Sequence, residues 1–269
     1  MAGLWLCVVC VLVCFSLSGC DRIKSRFESL LHSKKSAKPH AKIPARPVVV
    51  GPELAIILDD VGGDDGASDA IFALHYPLTL SVLPNHPRSS EIANQAHAHG
   101  YAVMLHLPME SLANESAEKQ ELRPGMSPEQ IANTLDDMLR TVPYAAGVNN
   151  HQGSRATSDR ALMQELMPQL HRRELFFVDS RTTAATVAYE AAKAAGVPCA
   201  SRNAPFLDDV QQESAVLRQL EIAVKDAKEK GYAITIGHPH RATLQALREF
   251  LPRVEAQGVH LALASELVR

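Results

Sequence analysis

Several residues able to do chemistry stand at the ends of short apolar runs in this 269-residue chain. Asp59-Asp60 closes the run Leu54–Leu58, and Asn85-His86 follows Leu78–Leu83. His106 and Glu110 stand at and beyond the tip of Ala102–Leu107, and Asn149-Asn150-His151 follows Ala145–Val148. Asp179 and Arg181 follow Leu175–Val178, Arg202-Asn203 follows Pro198–Ser201, and His238-Pro239-His240 follows Ala233–Ile236. Adjacent carboxylates in a low-dielectric setting raise one another's pKa. A divalent cation relieves this by binding one carboxylate and leaving the other as a base. Aspartates at a strand end also act as turn and cap residues, and Gly62-Gly63-Asp64-Asp65 offers more of them. Among twelve histidines, His106, His151, His238 and His240 have polar neighbours at run ends. His106 is followed by Leu107-Pro108, and the proline fixes the tip that carries the ring. His75, His97, His99 and His171 fall in helical segments and read as surface residues.

These groups meet only if the runs are parallel strands. Eight runs, the last Val259–Ala262, alternate with segments of helical periodicity at about 66–75, 88–99, 127–141, 158–172, 184–195, 211–230 and 241–257. Ser127-Pro128 has the chemistry of an N-cap followed by a first helical residue. Gly100, Gly196, Gly231 and Gly258 each stand where a helix hands over to a strand. The alternation predicts an α/β domain over 54–269, an irregular (β/α) barrel of seven or eight parallel strands joined by right-handed crossovers. An open doubly wound sheet fits the same alternation. The barrel is favoured because nearly every strand delivers a polar group at its C-terminal end, the face where barrels build active sites. No GxGxxG or GxxxxGK[ST] follows the first strand, so nucleotide binding of those types has no support. The irregular stretch 109–126 is expected to form a loop over the barrel mouth.

The N-terminus has a different composition. Leu4–Ser18 is apolar but short for a bilayer span, and Leu17-Ser18-Gly19-Cys20 resembles a bacterial lipoprotein signal. No Lys or Arg precedes the apolar run, a departure that keeps an uncleaved anchor or a plain cleaved signal as alternatives. The expectation is a signal peptide over 1–19, lipidation of Cys20, and attachment to a bacterial membrane on the periplasmic or exterior side of the cell envelope. Residues 21–53 carry eight Lys/Arg against three Asp/Glu and several prolines, the composition of a flexible tether. Such a basic segment also attracts anionic headgroups. The remaining residues reverse the balance, and the net charge of −3 gives no basis for nucleic-acid binding. Cys199 is the one cysteine beyond residue 20, so the domain has no internal disulfide.

Five segments together resemble the divergent polysaccharide deacetylase family. They are Ile57-Leu58-Asp59-Asp60, Met104-Leu105-His106-Leu107-Pro108-Met109-Glu110, Gly147-Val148-Asn149-Asn150-His151-Gln152-Gly153-Ser154, Phe177-Val178-Asp179-Ser180-Arg181-Thr182 and Ile236-Gly237-His238-Pro239-His240. The resemblance implies Asp59 as general base, Asp60 and His106 as ligands of a divalent metal, and His238 as general acid. Where the better-known enzymes carry a second histidine four residues after the first, this chain has Glu110. Either Glu110 ligates through oxygen or His151 completes the site from the neighbouring strand, and His151 is preferred. The arginine-proline motif of those enzymes is not evident, and Arg181 is a candidate replacement for its charge. With Asp and His ligands the expected cation is zinc. The implied reaction removes acetyl groups from a polysaccharide or peptidoglycan-type glycan, with Glu110, Asn85, Asn150, Asp179, Arg181 and His240 as candidates for substrate contact. The alternative is a catalytically impaired glycan-binding or envelope-organising lipoprotein on the same barrel. Phosphate-ester hydrolysis is the weaker option, because no Lys/Arg cluster stands beside the strand-end carboxylates.

Overall fold

The computed structural model describes residues 50–63, 66–113 and 118–269. The apolar leader, Cys20 and the basic linker through residue 49 lie outside the described residues. Among the described residues no helix is long and apolar enough to cross a membrane.

The eight expected strands are β1 (Glu53–Val61), β2 (Thr79–Val82), β3 (Ala102–Met109), β4 (Gly147–Gln152), β5 (Phe176–Asp179), β6 (Cys199–Ser201), β7 (Tyr232–Gly237) and β8 (His260–Ala262). Every strand pairing is parallel. The order is β6-β5-β4-β3-β2-β1-β7, with β8 joined to β1. β8 pairs Glu53–Ala55 while β2 pairs β1 from Ile57 onward, so these two share one edge of β1 and β7 takes the other. The sheet curls into a half-barrel, and β6 and β7 are not neighbours. A strap over 203–207 spans the opening: Asn203 and Ala204 N–H donate to Ile234 O, and Leu207 N–H donates to Ile236 O. Gly237 makes room for it, because a Cβ there would meet the Leu207 side chain at 3.1 Å.

The helices are α1 (Ser68–Phe72), α2 (Ser89–Ala98), α3 (Pro128–Thr141), α4 (Arg160–Arg172), α5 (Ala188–Ala194), α6 (Glu213–Lys230), α7 (Arg241–Phe250) and α8 (Ala264–Leu267). Ser127 caps α3 as expected, in a reciprocal capping box with Gln130. α6 ends at Gly231 in the left-handed conformation (φ 84°). The helix expected over 241–257 stops at Phe250 and continues as two 3₁₀ turns, 251–253 and 255–257, because Pro252 cannot donate the next helical hydrogen bond.

Strand alternation places the site. Ala55 and Ile57 of β1, Met104 of β3, Phe176 and Val178 of β5, and Ile234 and Ile236 of β7 form one buried cluster on the concave side of the sheet. Residues of the opposite parity, among them Leu54, Leu58, Leu105 and Phe177, join the cluster under the helices. Two residues further along each inward series stand Asp59, His106, Ser180 and His238. The concave core therefore ends in a polar layer at the C-terminal rim. Gly147 belongs to the packing beneath it, since a Cβ there would lie 2.4 Å from the Phe176 ring.

Candidate metal centre

At the rim, β1 breaks regular pairing between Leu58 and Val61, and Asp60 adopts the left-handed conformation (φ 58°). Alternation alone would turn Asp60 towards the helices; the irregular backbone brings both carboxylates into one cleft. Such a conformation in a non-glycine residue costs on the order of 1–3 kcal/mol and collects at functional sites. The cleft, of about 510 Å³, is lined by Asp59, Asp60, His106, His151 and His238 together with Asn150, Gln152, Ser154, Ser180, Thr182, Ser111, Phe206 and Asp209.

Asp60 Oδ1 lies 3.1 Å from His106 Nε2 and 3.0 Å from His151 Nδ1, and the two nitrogens are 3.2 Å apart. Although the Asp60 side chain is partly exposed, this oxygen is buried and makes no well-directed hydrogen bond. His106 Nδ1 is bonded to Asn149 Oδ1 at 2.8 Å, which leaves the Nε2 lone pair facing Asp60. Three ligand atoms thus converge, two imidazole nitrogens and a buried carboxylate oxygen that lacks a well-directed donor, the arrangement that a divalent cation fits. Electrostatics agree. Burial pushes the Asp60 pKa up, but the His106 and His151 rings override it and hold the carboxyl well below its usual range. Burial likewise opposes charge on His106, yet Asp59 and then Asp60 raise its pKa. The cluster calls for positive charge at this point, and a cation supplies it without protonating the imidazoles.

Asp59 is buried beside the cluster, with Oδ2 3.6 Å from His106 Nε2 and Oδ1 accepting from Asn149 Nδ2 at 2.9 Å. Its pKa is raised: burial outweighs the lowering effects of His106 and the Asn149 hydrogen bond. A carboxylate with an elevated pKa is suited to accept a proton. Across the cleft, His238 Nε2 stands 3.7 Å from Asp60 Oδ2. Its Nδ1 is 3.0 Å from Asp208 Oδ1, and its backbone N–H donates to Asp208 Oδ2 at 2.6 Å. Burial lowers the His238 pKa, but Asp208, helped by Asp60 and Asp59, pushes it up to about 9. Asp208 itself is pulled down against its own burial by His238 and by the Thr243 hydroxyl.

The structure gathers Asp59, Asp60, His106, His151, His238 and Asn150 in one cleft. It places the other expected contact residues elsewhere. Asp179, of outward parity on β5, is fully buried; its oxygens accept from Arg181 N–H, Thr186 Oγ1 and Tyr189 N–H, which ties down the entry to α5. Arg181 is exposed and outside the cleft lining. Asn85 is held by Thr141 and Gln120 at the outer rim. Glu110 leaves the sheet and faces Arg155 at 3.5 Å, away from the three converging ligand atoms. His240 is exposed and bonded to Gln211. Asp208 was not anticipated, although Leu207-Asp208-Asp209-Val210 repeats Leu58-Asp59-Asp60-Val61. Ser81 and Ser180 were also missed, though alternation along their strands points both inward.

A curled parallel sheet with paired aspartates and imidazoles at its C-terminal rim defines a deacetylase-type (β/α) barrel. The chain belongs to the divergent polysaccharide deacetylase family, whose sequence profile matches residues 56–268. It is 40% identical over 205 residues to the uncharacterized protein YibQ of Escherichia coli K12, covering 76% of this chain and 64% of YibQ; the chain thus spans under two thirds of that relative's length. Among solved structures, an uncharacterized protein from Agrobacterium tumefaciens, ATU2773, superposes with a TM-score of 0.77 at 20% identity, over 83% of this chain and 92% of that one. A protein described as T48 deacetylase with substrate shares the fold at a TM-score of 0.55 and 15% identity, over 83% and 94% of the two chains. BA3943 from Bacillus anthracis, described as a family 4 carbohydrate esterase pseudoenzyme, does so at 0.51 and 13%, over 81% and 65%. At these identities the likeness is one of fold, and function rests on the site.

Proposed function

We propose that this protein is a metal-dependent hydrolase that removes acetyl groups from an N- or O-acetylated glycan of the cell envelope. The observation that carries it is the convergence of Asp60 Oδ1, His106 Nε2 and His151 Nδ1 in a cleft that also holds a buried carboxylate and a carboxylate-backed imidazole. A divalent cation held by these three residues, zinc by the nature of its ligands, would polarise the acetyl carbonyl and acidify water. Asp59 is placed to take the proton of the water that attacks the acetyl carbonyl carbon. His238, protonated at neutral pH by its partnership with Asp208, gives its Nε2 proton to the amine or alkoxide as the bond to the acetyl group breaks. Acetate and a free amine or hydroxyl result. Gln152, Ser111, Ser154 and Thr182 supply neutral hydrogen-bonding groups for sugar hydroxyls, Phe206 supplies an apolar surface, and Asn150, whose amide is bonded to Gln152 and Ser180, holds the wall behind them.

Acetate release from acetylated chito-oligosaccharides and acetylated peptidoglycan fragments, followed with and without a chelator, tests the reading. Chelator-sensitive release that is lost in Asp59→Asn supports it. Glycan binding without release by the zinc-loaded protein would instead support the binding-only alternative, which the loss of the second motif histidine to Glu110 favours. The same proposal tethers the domain to the envelope through a lipid on Cys20. Release of the protein from membranes by Cys20→Ser, with loss of the lipid mass from the N-terminal peptide, checks that part.

A further inference from the structure

We propose that Asn149 is the positioning residue of this centre: one side-chain amide sets the lone pair of a metal ligand and the direction of the base together. The proposal rests on the deacetylase reading, since it requires a cation at Asp60, His106 and His151. Asn149 is fully buried on β4, in register with His106 on one side and Val178 on the other. Its Oδ1 accepts from Ser81 Oγ at 2.5 Å and from His106 Nδ1 at 2.8 Å. Its Nδ2 donates to Asp59 Oδ1 at 2.9 Å and to Ser180 Oγ at 3.2 Å. All four hydrogen bonds open to an amide are therefore made, and they run to four different strands or strand ends.

The orientation of the amide is fixed by its surroundings. Asp59 offers only acceptor oxygens when ionised, so the NH2 group must face it and the carbonyl must face His106. That carbonyl holds the proton of His106 on Nδ1, and Nε2 is left as the lone-pair atom aimed at Asp60. The other end of the same amide directs Asp59 Oδ1 into the network, leaving Oδ2 beside His106 Nε2 and the cleft. No other side chain of this size does both. Leucine has the shape without the polar atoms. An ionised aspartate keeps an acceptor for His106, removes the donor to Asp59 and sets a second carboxylate against it.

Those two substitutions separate the halves of the role. Zinc affinity of the purified full-length chain is measured by competition with a chelating dye, beside melting temperature as a folding control. Asn149→Leu is expected to weaken zinc binding roughly 10–100-fold, the usual effect of losing a ligand's supporting hydrogen bond. Asn149→Asp is expected to hold zinc as the wild type does while kcat falls on the order of 10²-fold with KM unchanged. In the zinc-loaded wild type, the His106 Nδ1 proton is expected as a protected downfield NMR signal. Wild-type zinc affinity in a folded Asn149→Leu variant would overturn the proposal, as would absence of the protected proton from the zinc-loaded wild type. The NMR measurement needs no variant, so it decides the matter even if Asn149→Leu does not fold. Should the wild type take up no zinc, this proposal and the deacetylase reading fall together. Zinc binding that Asn149→Leu weakens, without acetate release from any glycan, would overturn the deacetylase reading alone.

Discussion

Two Leu-Asp-Asp-Val sequences, 58–61 and 207–210, stand at the same rim and are put to different uses. The first closes β1, paired on both edges; the second lies in and just beyond the strap between β6 and β7. In each, the leucine is buried and the first aspartate is buried. They part at their partners. Asp208 meets only donors: the His238 backbone N–H, His238 Nδ1 and the Thr243 hydroxyl satisfy both of its oxygens. In the first segment Asp59, the counterpart of Asp208, accepts from Asn149. It is the second aspartate, Asp60, that meets two imidazole nitrogens and keeps a buried oxygen without a well-directed donor, where the second segment has the exposed Asp209. Asp208, His238 and His240 also bring ligand atoms within 4.8 Å of one another, yet the Asp208 oxygens are already committed. A carboxylate among donors becomes half of an acid pair, and one among lone pairs becomes a cation ligand. The tetrapeptide does not decide between them.

The largest expected effect tests the first segment. Asp60→Ala should reduce bound divalent metal to background with the fold retained, read by elemental analysis and circular dichroism; wild-type metal content would end the contrast with Asp208. Next, Asp208→Asn should keep its metal but lose about 10²–10⁴-fold in kcat/KM, the range for general acid-base catalysis. Its alkaline limb should move down from about 9 towards the ordinary histidine value of 6.5, because the hydrogen bond and charge that raise His238 are gone. An unmoved limb would remove His238 as the acid.

A third effect is on stability. The raised pKa of His238 means that its contribution is complete below 6.5 and is lost as pH rises through about 9. The depressed pKa of Asp208 means that its contribution is present above 3.8 and is lost as pH falls through the lower folded value. The metal-free protein should therefore lose melting temperature, on the order of a few degrees, as pH rises from 6.5 past 9. Asp208→Asn should flatten that loss, and calorimetry across pH checks it. Smallest of all, Asp209→Ala should change stability by no more than about 0.5 kcal/mol and leave metal content intact, since Asp209 is exposed. Loss of metal from that variant would show that the two segments are more alike than their partners indicate.

Much of the rim was legible in the chain. Asp59, His106 and His238 follow inward-facing apolar residues at a spacing of two, and the same alternation sends Asp179 outward, a consequence that reading strand ends alone overlooks. Asp208 was hidden because the strap has no strand periodicity and its partner stands thirty residues further on. Glu110 stayed open beside the preferred His151 because spacing cannot show that the chain leaves the sheet there to pair with Leu122 and reach Arg155.

Composition and alternation by themselves determined the eight parallel strands, the side on which they end in polar groups, and the residue types able to hold a cation. These are local properties, set by where apolar side chains can be buried. Which histidine joins Asp60, which carboxylate backs His238, and which amide links His106 to Asp59 were decided by the tertiary structure alone. A hydrogen bond or a ligand set depends on ångström-scale approach between strands, and that follows from the curl of the sheet, the irregular turn at Asp60 and the strap that spans the opening.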